Sequence, residues 1–324
     1  MTRPGSSLVS IIICTHNRAE HLRRTLAALA GVSVPDGMSA ELVIVDNNST
    51  DATATVIGAV IQQNRLPNME NVRSVLELRQ GLSSARNRGM AEARGDIFLF
   101  TDDDVRPPDN WLQGMCGPIV LGEADAVAGG MKLAAHLLRP WMTATHISWL
   151  ASTECVPAGT VIPLLGGNMA FSRRVLARVP QFDVEVGPGA KGHADDSLFS
   201  YQLEKAGCRI VMALETAAEH HLQEERLTRK SYEAQARKRG EFNAYLARHW
   251  AHSDPRYPLL RLVRSAAALW GLRLWHFPEW VTSPTVPAWE LSRLEWLHMF
   301  RFSHRYRNEP RKYEKFGLVK LEQS

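Results

Sequence analysis

The chain has 324 residues, 45% of them hydrophobic, and a net charge of +4; this length and apolar content argue against a disordered chain and fit one large domain or two moderate ones. Charge is unevenly placed, because residues 1–225 hold 19 Lys and Arg against 25 Asp and Glu, whereas residues 226–324 hold 19 against 9. Six of the nine tryptophans (Trp250, Trp270, Trp275, Trp280, Trp289 and Trp296) also lie in the basic part, a mixture suited to a membrane interface and, without an accompanying binding motif, not to nucleic acid.

The run "LVSIIIC" (8–14) is continuous, as in a strand covered on both faces, and "AEHLRRTLAALAG" follows with Leu22, Leu26 and Leu29 at helical spacing. "AELVIVDNNSTDATATVIGAVIQQN" repeats strand, polar turn and helix, with Ser49 or Thr50 the expected cap. A parallel βαβ unit follows from this pattern. A third short run near "NVRSVLEL" precedes the helix-like "LSSARNRGMAEARG" and the strand "DIFLFT", which ends at Asp102, Asp103 and Asp104. In open α/β sheets ligands bind beyond the carboxyl ends of strands, so the triplet shares an edge with "THNR" and "DNNSTD". From about residue 112 the pattern weakens into a loop-rich middle; the helix-like "DDSLFSYQLEKAG" and the strand "CRIVMA" come next, and residues beyond 226 read as mostly helical. The cysteines Cys14, Cys116, Cys155 and Cys208 form no paired motif and are expected as buried thiols. With no apolar run of roughly 20 residues and no signal-peptide pattern at the start, a cytoplasmic protein is expected.

The ordered set "SIIICTHNR", "LVIVDNNSTD", "GLSSARNRGMAEARGDIFLFTDDDV", "LLGGNMAFSRRVL", "ADDSLFSYQLEKAG" and "EHHLQEERLT" resembles a bacterial family-2 glycosyltransferase with the GT-A fold, over roughly residues 8–240. The resemblance implies an α/β, Rossmann-like and mostly parallel central sheet with flanking helices. It further implies inverting transfer of a sugar from a nucleotide-diphosphate donor, foremost a UDP-sugar, with a divalent cation, Mn²⁺ or Mg²⁺. The expected acceptor is a saccharide or lipid-linked hydroxyl in cell-envelope or exopolysaccharide synthesis, with peripheral contact at the inner face of the cytoplasmic membrane. A catalytic domain is expected over 1–225, its nucleotide-binding half reaching about residue 110 and its acceptor half covering 111–225, followed by a helical extension over 226–324.

A divalent cation would stabilise the charge developing on the departing diphosphate, and Mg²⁺ and Mn²⁺ prefer oxygen ligands. The resemblance implies Asp104 as metal ligand, Asp102 at the metal or the donor ribose, and Asp103 beside them; an isolated triplet could equally be a solvated turn. Asp46 is implied at the nucleoside, though "DNNSTD" is also turn chemistry. Thr15 and Asn17 lie where the family's first loop touches nucleotide, and Arg18 there could instead pair on the surface. Gly81, Arg86 and Asn87 of "GLSSARNRG" are offered to the donor, Arg being suited to phosphate. Gly167 and Asn168 of "GGNM" match the loop below the donor sugar.

The acceptor hydroxyl must lose a proton as it attacks. Alignment with the family's Glu-Asp element implies Asp196 as the base and Asp195 as its neighbour, against the simpler use of Asp196 as a helix cap. His220, six residues before Arg226, matches a segment in which the His completes the metal site or touches the diphosphate; a structural His is the alternative. "GPGAKG" (187–192) fits a dinucleotide fingerprint but neither follows the first strand nor opens a helix, and a flexible acceptor-side loop is the better reading. A non-catalytic nucleotide-sugar scaffold would show a broken triplet or a missing base, and both are intact. A nucleotidyl transferase would carry a basic Gly-rich phosphate loop near the amino terminus, which "CTHNR" does not resemble. The amphipathic run "PLLRLVRSAAALWGLRLWHF" would lie in a membrane interface or pack on the catalytic domain.

Overall fold

The computed structural model describes residues 7–63, 65–157 and 159–321. Strand β1 (Ser7–Thr15) buries Val9, Ile11, Ile12 and Ile13 completely, so both its faces are covered. Ile11 and Ile13 enter a core with helix α1 (Ala19–Leu29), through Leu22, Leu26 and Leu29. Ile12 points the other way, toward the aromatic core of Phe98, Phe100 and Phe171. Strand β2 (Met38–Asp46) and helix α2 (Thr53–Gln62) repeat the unit. Neither Ser49 nor Thr50 caps α2; the Asp51 carboxylate instead accepts from the N–H and hydroxyl of Thr53, because the turn continues beyond them before the helix begins. Strand β3 (Asn71–Leu76), helix α3 (Leu82–Glu92) and strand β4 (Ile97–Asp102) complete a half in which all neighbouring strands are parallel.

The second half comprises β5 (Val105–Arg106), α4 (Trp111–Val120), β6 (Ala126–Leu133), α5 (Ala144–Trp149), β7 (Asn168–Ser172), α6 (Asp195–Lys205) and β8 (Ile210–His220). The supposedly loop-rich middle therefore holds regular elements. Pro118 inside α4 and Gly129–Gly130 inside β6 mask them locally, while burial of Trp111, Leu112, Ala126 and Val127 against the sheet decides the structure. The sheet order is β3-β2-β1-β4-β7-β6-β8-β5. Beyond β4 it becomes mixed, since β7 runs antiparallel to β4 and β6, and β5 antiparallel to β8, while β6 and β8 are parallel.

Among the described residues four α-helices follow: α7 (Arg229–Tyr245), extended by a π-helical turn at Leu246–Trp250, then α8 (Pro258–Trp275), α9 (Phe277–Thr282) and α10 (Ala288–Tyr306). Helices α7 and α10 meet at Gly240, where an added Cβ would stand 2.6 Å from the Glu295 carbonyl oxygen. Because backbone cannot yield cheaply there, Gly240→Ala is expected to destabilise by about 1–3 kcal/mol, as overpacking does, and a lowered thermal midpoint would register it. The loop before α6 is held rather than loose: Asp183 accepts from the hydroxyls of Tyr245 (2.6 Å) and Tyr313 (2.8 Å) and from Lys320 Nζ (2.7 Å), and the Pro188 carbonyl accepts from Leu82 N–H. The flexible reading of residues 187–192 is corrected accordingly. Cys14 and Cys116 are buried, but Cys155 is exposed and Cys208 half-buried, so the expectation of four buried thiols fails for two.

Candidate active site

A cavity of about 860 Å³ opens beyond the carboxyl ends of β1 and β4, a size ordinary for a ligand site. Thr15, Arg18, Gly81 and Arg86 reach it from the first half, the triplet from the end of β4, and Gly167, Asp195, Asp196 and His220 from the second half. Residues separated by more than 100 positions thus share one wall.

Within the triplet the three carboxylates differ. Asp103 is buried, accepting from Thr15 Oγ1 at 2.7 Å and pairing with Arg18 Nη1 at 3.0 Å; burial, partly offset by Arg18, pushes it up to about 7, with the neighbouring Asp104 charge adding to the rise. For Asp104 burial would act the same way, but the positive charge of His220 opposite it, present only when that ring is doubly protonated, together with Arg18 Nη2 at 2.7 Å, outweighs it and holds its carboxyl well below the usual range. Asp102 faces the cavity with its side chain 35% exposed. Enclosure by the surrounding protein raises its pKa, and Arg86, 3.7 Å away, only partly compensates. The solvated-turn reading therefore fails, since Asp103 and Asp104 are both buried.

The donor set fits a divalent cation. His220 Nδ1 lies 3.2 Å from the Leu150 carbonyl, which can only accept, so Nδ1 carries the proton and Nε2 faces Asp104 Oδ1 at 3.5 Å. Asp104 Oδ1 is buried and has no hydrogen-bond partner. Two acceptors so placed call for a cation or proton between them. Among the described residues no cluster of three His, Cys, Asp or Glu side chains closes a metal site by itself.

Across the cavity, Asp195 is buried and accepts from Arg86 Nη1 at 2.7 Å and Ser83 Oγ at 3.1 Å. Arg86 therefore bridges the helix-α6 carboxylate and Asp102. Asp196 accepts from the N–H groups of Gly166 and Ser197, both at 2.7 Å; burial and the adjacent Asp195 charge push it up to about 6, against Arg86 and those two donors. A carboxylate poised there can take a proton near neutral pH. Helix α6 starts at Asp195, with Ala194 in the left-handed region at φ 68°, so Asp196 lies inside the helix's first turn and is not its N-cap.

Four candidates do not border the cavity. Asn17 uses its side-chain oxygen to accept from Thr50 and Asp51 N–H, knitting the first two loops together. Asp46 Oδ1 accepts from Ser49 N–H as a turn carboxylate, and Asn47 rather than Asp46 borders the cavity. Asn87 makes a two-point clamp on the Phe182 backbone. Asn168 is fully buried; its oxygen accepts from Trp111 Nε1 and its two N–H groups are spent on the carbonyls of Gly130 and Thr216, so it props the sheet and does not reach the cavity. Sequence reading missed Gly166, where a Cβ would collide with the Arg86 guanidinium at 1.8 Å, although it adjoins Gly167 in "GGNM". It also missed the wall built by α5 and α7, where Arg239 lies 4.7 Å over Trp149 and pairs with Glu295 at 3.0 Å. His193 faces that wall, and burial with the charges of Arg239, Lys238 and Arg226 drives its pKa down to about 4.

A profile of glycosyl transferase family 2 matches residues 10–179. Among characterised relatives, glucosyl-3-phosphoglycerate synthase of Mycolicibacterium paratuberculosis is 28% identical over 176 residues, 47% of this chain and 50% of that protein. Glycosyltransferase AglE of Haloferax volcanii is 30% identical over 125 residues, 38% of this chain and 39% of the relative. The chain thus spans half or less of the length of these two relatives. Among solved structures, mannosyltransferase PcManGT from Pyrobaculum calidifontis, in complex with GDP-Man and Mn²⁺, superposes with a TM-score of 0.61 over 94% of this chain and 88% of its own, at 19% identity. That likeness is one of fold, and it bears out the GT-A architecture.

Proposed function

The chain belongs to glycosyl transferase family 2, and from that premise we propose that it is an inverting glycosyltransferase that moves a sugar from a nucleotide-diphosphate donor, a UDP-sugar, to an acceptor hydroxyl. The observation that carries this reading is the facing of Asp102–Asp104 and Asp195–Asp196 across one cavity, joined through Arg86. Asp102, Asp104 and His220 would hold a divalent cation, which when bound supplies positive charge to the leaving diphosphate; the complex of PcManGT with GDP-Man and Mn²⁺ supports a cation at the donor site. Thr15, Asp46, Gly81 and Arg18 line or flank the side assigned to the nucleoside and its phosphates, and Arg86 and Gly167 the side assigned to the sugar. Asp196 accepts the acceptor's hydroxyl proton as its oxygen attacks the anomeric carbon, and the bond to the diphosphate breaks on the opposite face. Asp195 holds Arg86 in place.

The catalytic unit is taken as residues 1–225, with 226–324 as an appended helical region that also lends α7 to the acceptor side. A lipid-linked saccharide of the cell envelope as acceptor would bring the reaction to the inner face of the cytoplasmic membrane. The test is calorimetric titration with UDP, GDP and dTDP, with Mn²⁺ and again with EDTA. Metal-dependent binding of UDP alone is expected, and Asp104→Ala is expected to weaken it at least tenfold while leaving the metal-free titration unchanged. Failure of all three diphosphates to bind the folded protein would sink the donor assignment, and binding of GDP alone would move the donor to a GDP-sugar.

A further inference from the structure

Helix α8 is 18 residues long, yet among its described residues only Leu269 is buried. It is attached along α10: Leu269 enters the core shared with α7 and α10, Arg273 pairs with Glu290 of α10, and the Arg261 guanidinium lies 5.8 Å over the Phe300 ring. The opposite side is the apolar one. Val263 (59% exposed), Trp270 (56%) and Leu274 (72%) are spaced so that they fall on one outward stripe, with Trp275 (83%) at its edge, and α9 continues it with Phe277 and Val281. A water-facing helix carries the reverse arrangement, and a continuous apolar stripe of this kind marks an interaction surface.

Charge selects the partner. Between Arg256 and Thr282 the sequence has four arginines against one acid, Glu279, which lies 3.4 Å from His276, and among the described residues only Arg273 of the four arginines pairs with a carboxylate. A second copy meeting this face about a two-fold axis would set arginine against arginine. No described helix is long and apolar enough to cross a membrane, which leaves a helix lying in the plane of the interface, aromatic residues at headgroup depth and arginines against anionic lipid. We propose that the outward face of α8 and α9 is a docking surface for an anionic bilayer. The surface rests on exposure and charge and is independent of the transferase reading.

Flotation of the full chain with phosphatidylcholine vesicles, with and without phosphatidylglycerol, tests it. The protein is expected to float with the anionic vesicles alone and to be released by high salt. The combined variant Trp270→Ser, Leu274→Ser, Trp275→Ser is expected to lower the bound fraction at least tenfold, and Arg261→Gln with Arg264→Gln to do the same on anionic vesicles. Because these side chains are exposed, both variants should keep the parent's thermal midpoint and its nucleotide titration, so failure of docking and failure of the donor reading are separable. Absence of binding to either vesicle overturns the proposal, as does a dimer in light scattering that the serine variant converts to monomer.

Discussion

Asp196→Asn is expected to reduce sugar transfer about 10²–10⁴-fold, the usual contribution of general acid–base catalysis, with the affinity for nucleoside diphosphate unchanged. The amide oxygen can still accept from Gly166 or Ser197, which hold the native carboxylate at 2.7 Å, so the loss reports proton transfer and not a displaced loop. The pH dependence provides a second reading of the same group. Asp196 is pushed up to about 6 by burial and by Asp195, and a base works only when unprotonated. The rate per encounter, kcat/KM, is therefore expected to rise tenfold per pH unit below about 6 and to level off above it. Unaltered turnover in the variant would remove Asp196 from the base role and turn attention to Asp195, whose carboxylate is already committed to Arg86 and Ser83.

Arg86→Met is the second large effect, and it strikes stability as well as activity. Arg86 and Asp195 are both nearly inaccessible and bonded at 2.7 Å. Removing one member of such a pair leaves an uncompensated buried charge and costs about 3–5 kcal/mol. Asp102, whose enclosure already raises its pKa, would lose its partial compensation as well. The thermal midpoint is expected to fall, and adding Asp195→Asn to Arg86→Met is expected to recover part of the loss without restoring transfer, a non-additivity that a double-mutant cycle measures. A midpoint unmoved by Arg86→Met would mean that water reaches the pair in solution.

Strands β1, β2 and β4 were legible because each holds a run of apolar residues closed by a polar turn, a local pattern that burial on both faces imposes, while β3, at the sheet edge and partly exposed, gave only a short mixed run. The triplet and the shared edge of the first loops followed from their positions at strand ends, whereas the Asp195–Asp196 pair stood out only through its resemblance to the family's Glu-Asp element. Side-chain commitments were not legible in the same way. Asn168 and Asn87 stand in motifs that suggest ligand contact, yet their amides are consumed by a buried indole and by the Phe182 backbone, partners that are 57 and 95 residues away. Gly166 matters only because Arg86, 80 positions earlier, occupies the space a Cβ would take. The direction of α8 is the same kind of fact. Its sequence established an amphipathic helix with arginines, but which side faces the core was decided by the contacts that Leu269, Arg273 and Arg261 find on the neighbouring helices. Sequence alone determined where the charges and the strands and helices of the first half lie along the chain, since those depend on near neighbours, but not the elements of the middle, which burial against the sheet decided. Tertiary structure decided which polar atoms were already satisfied and which faces were left open, because each such atom or face is settled by groups far away in the chain.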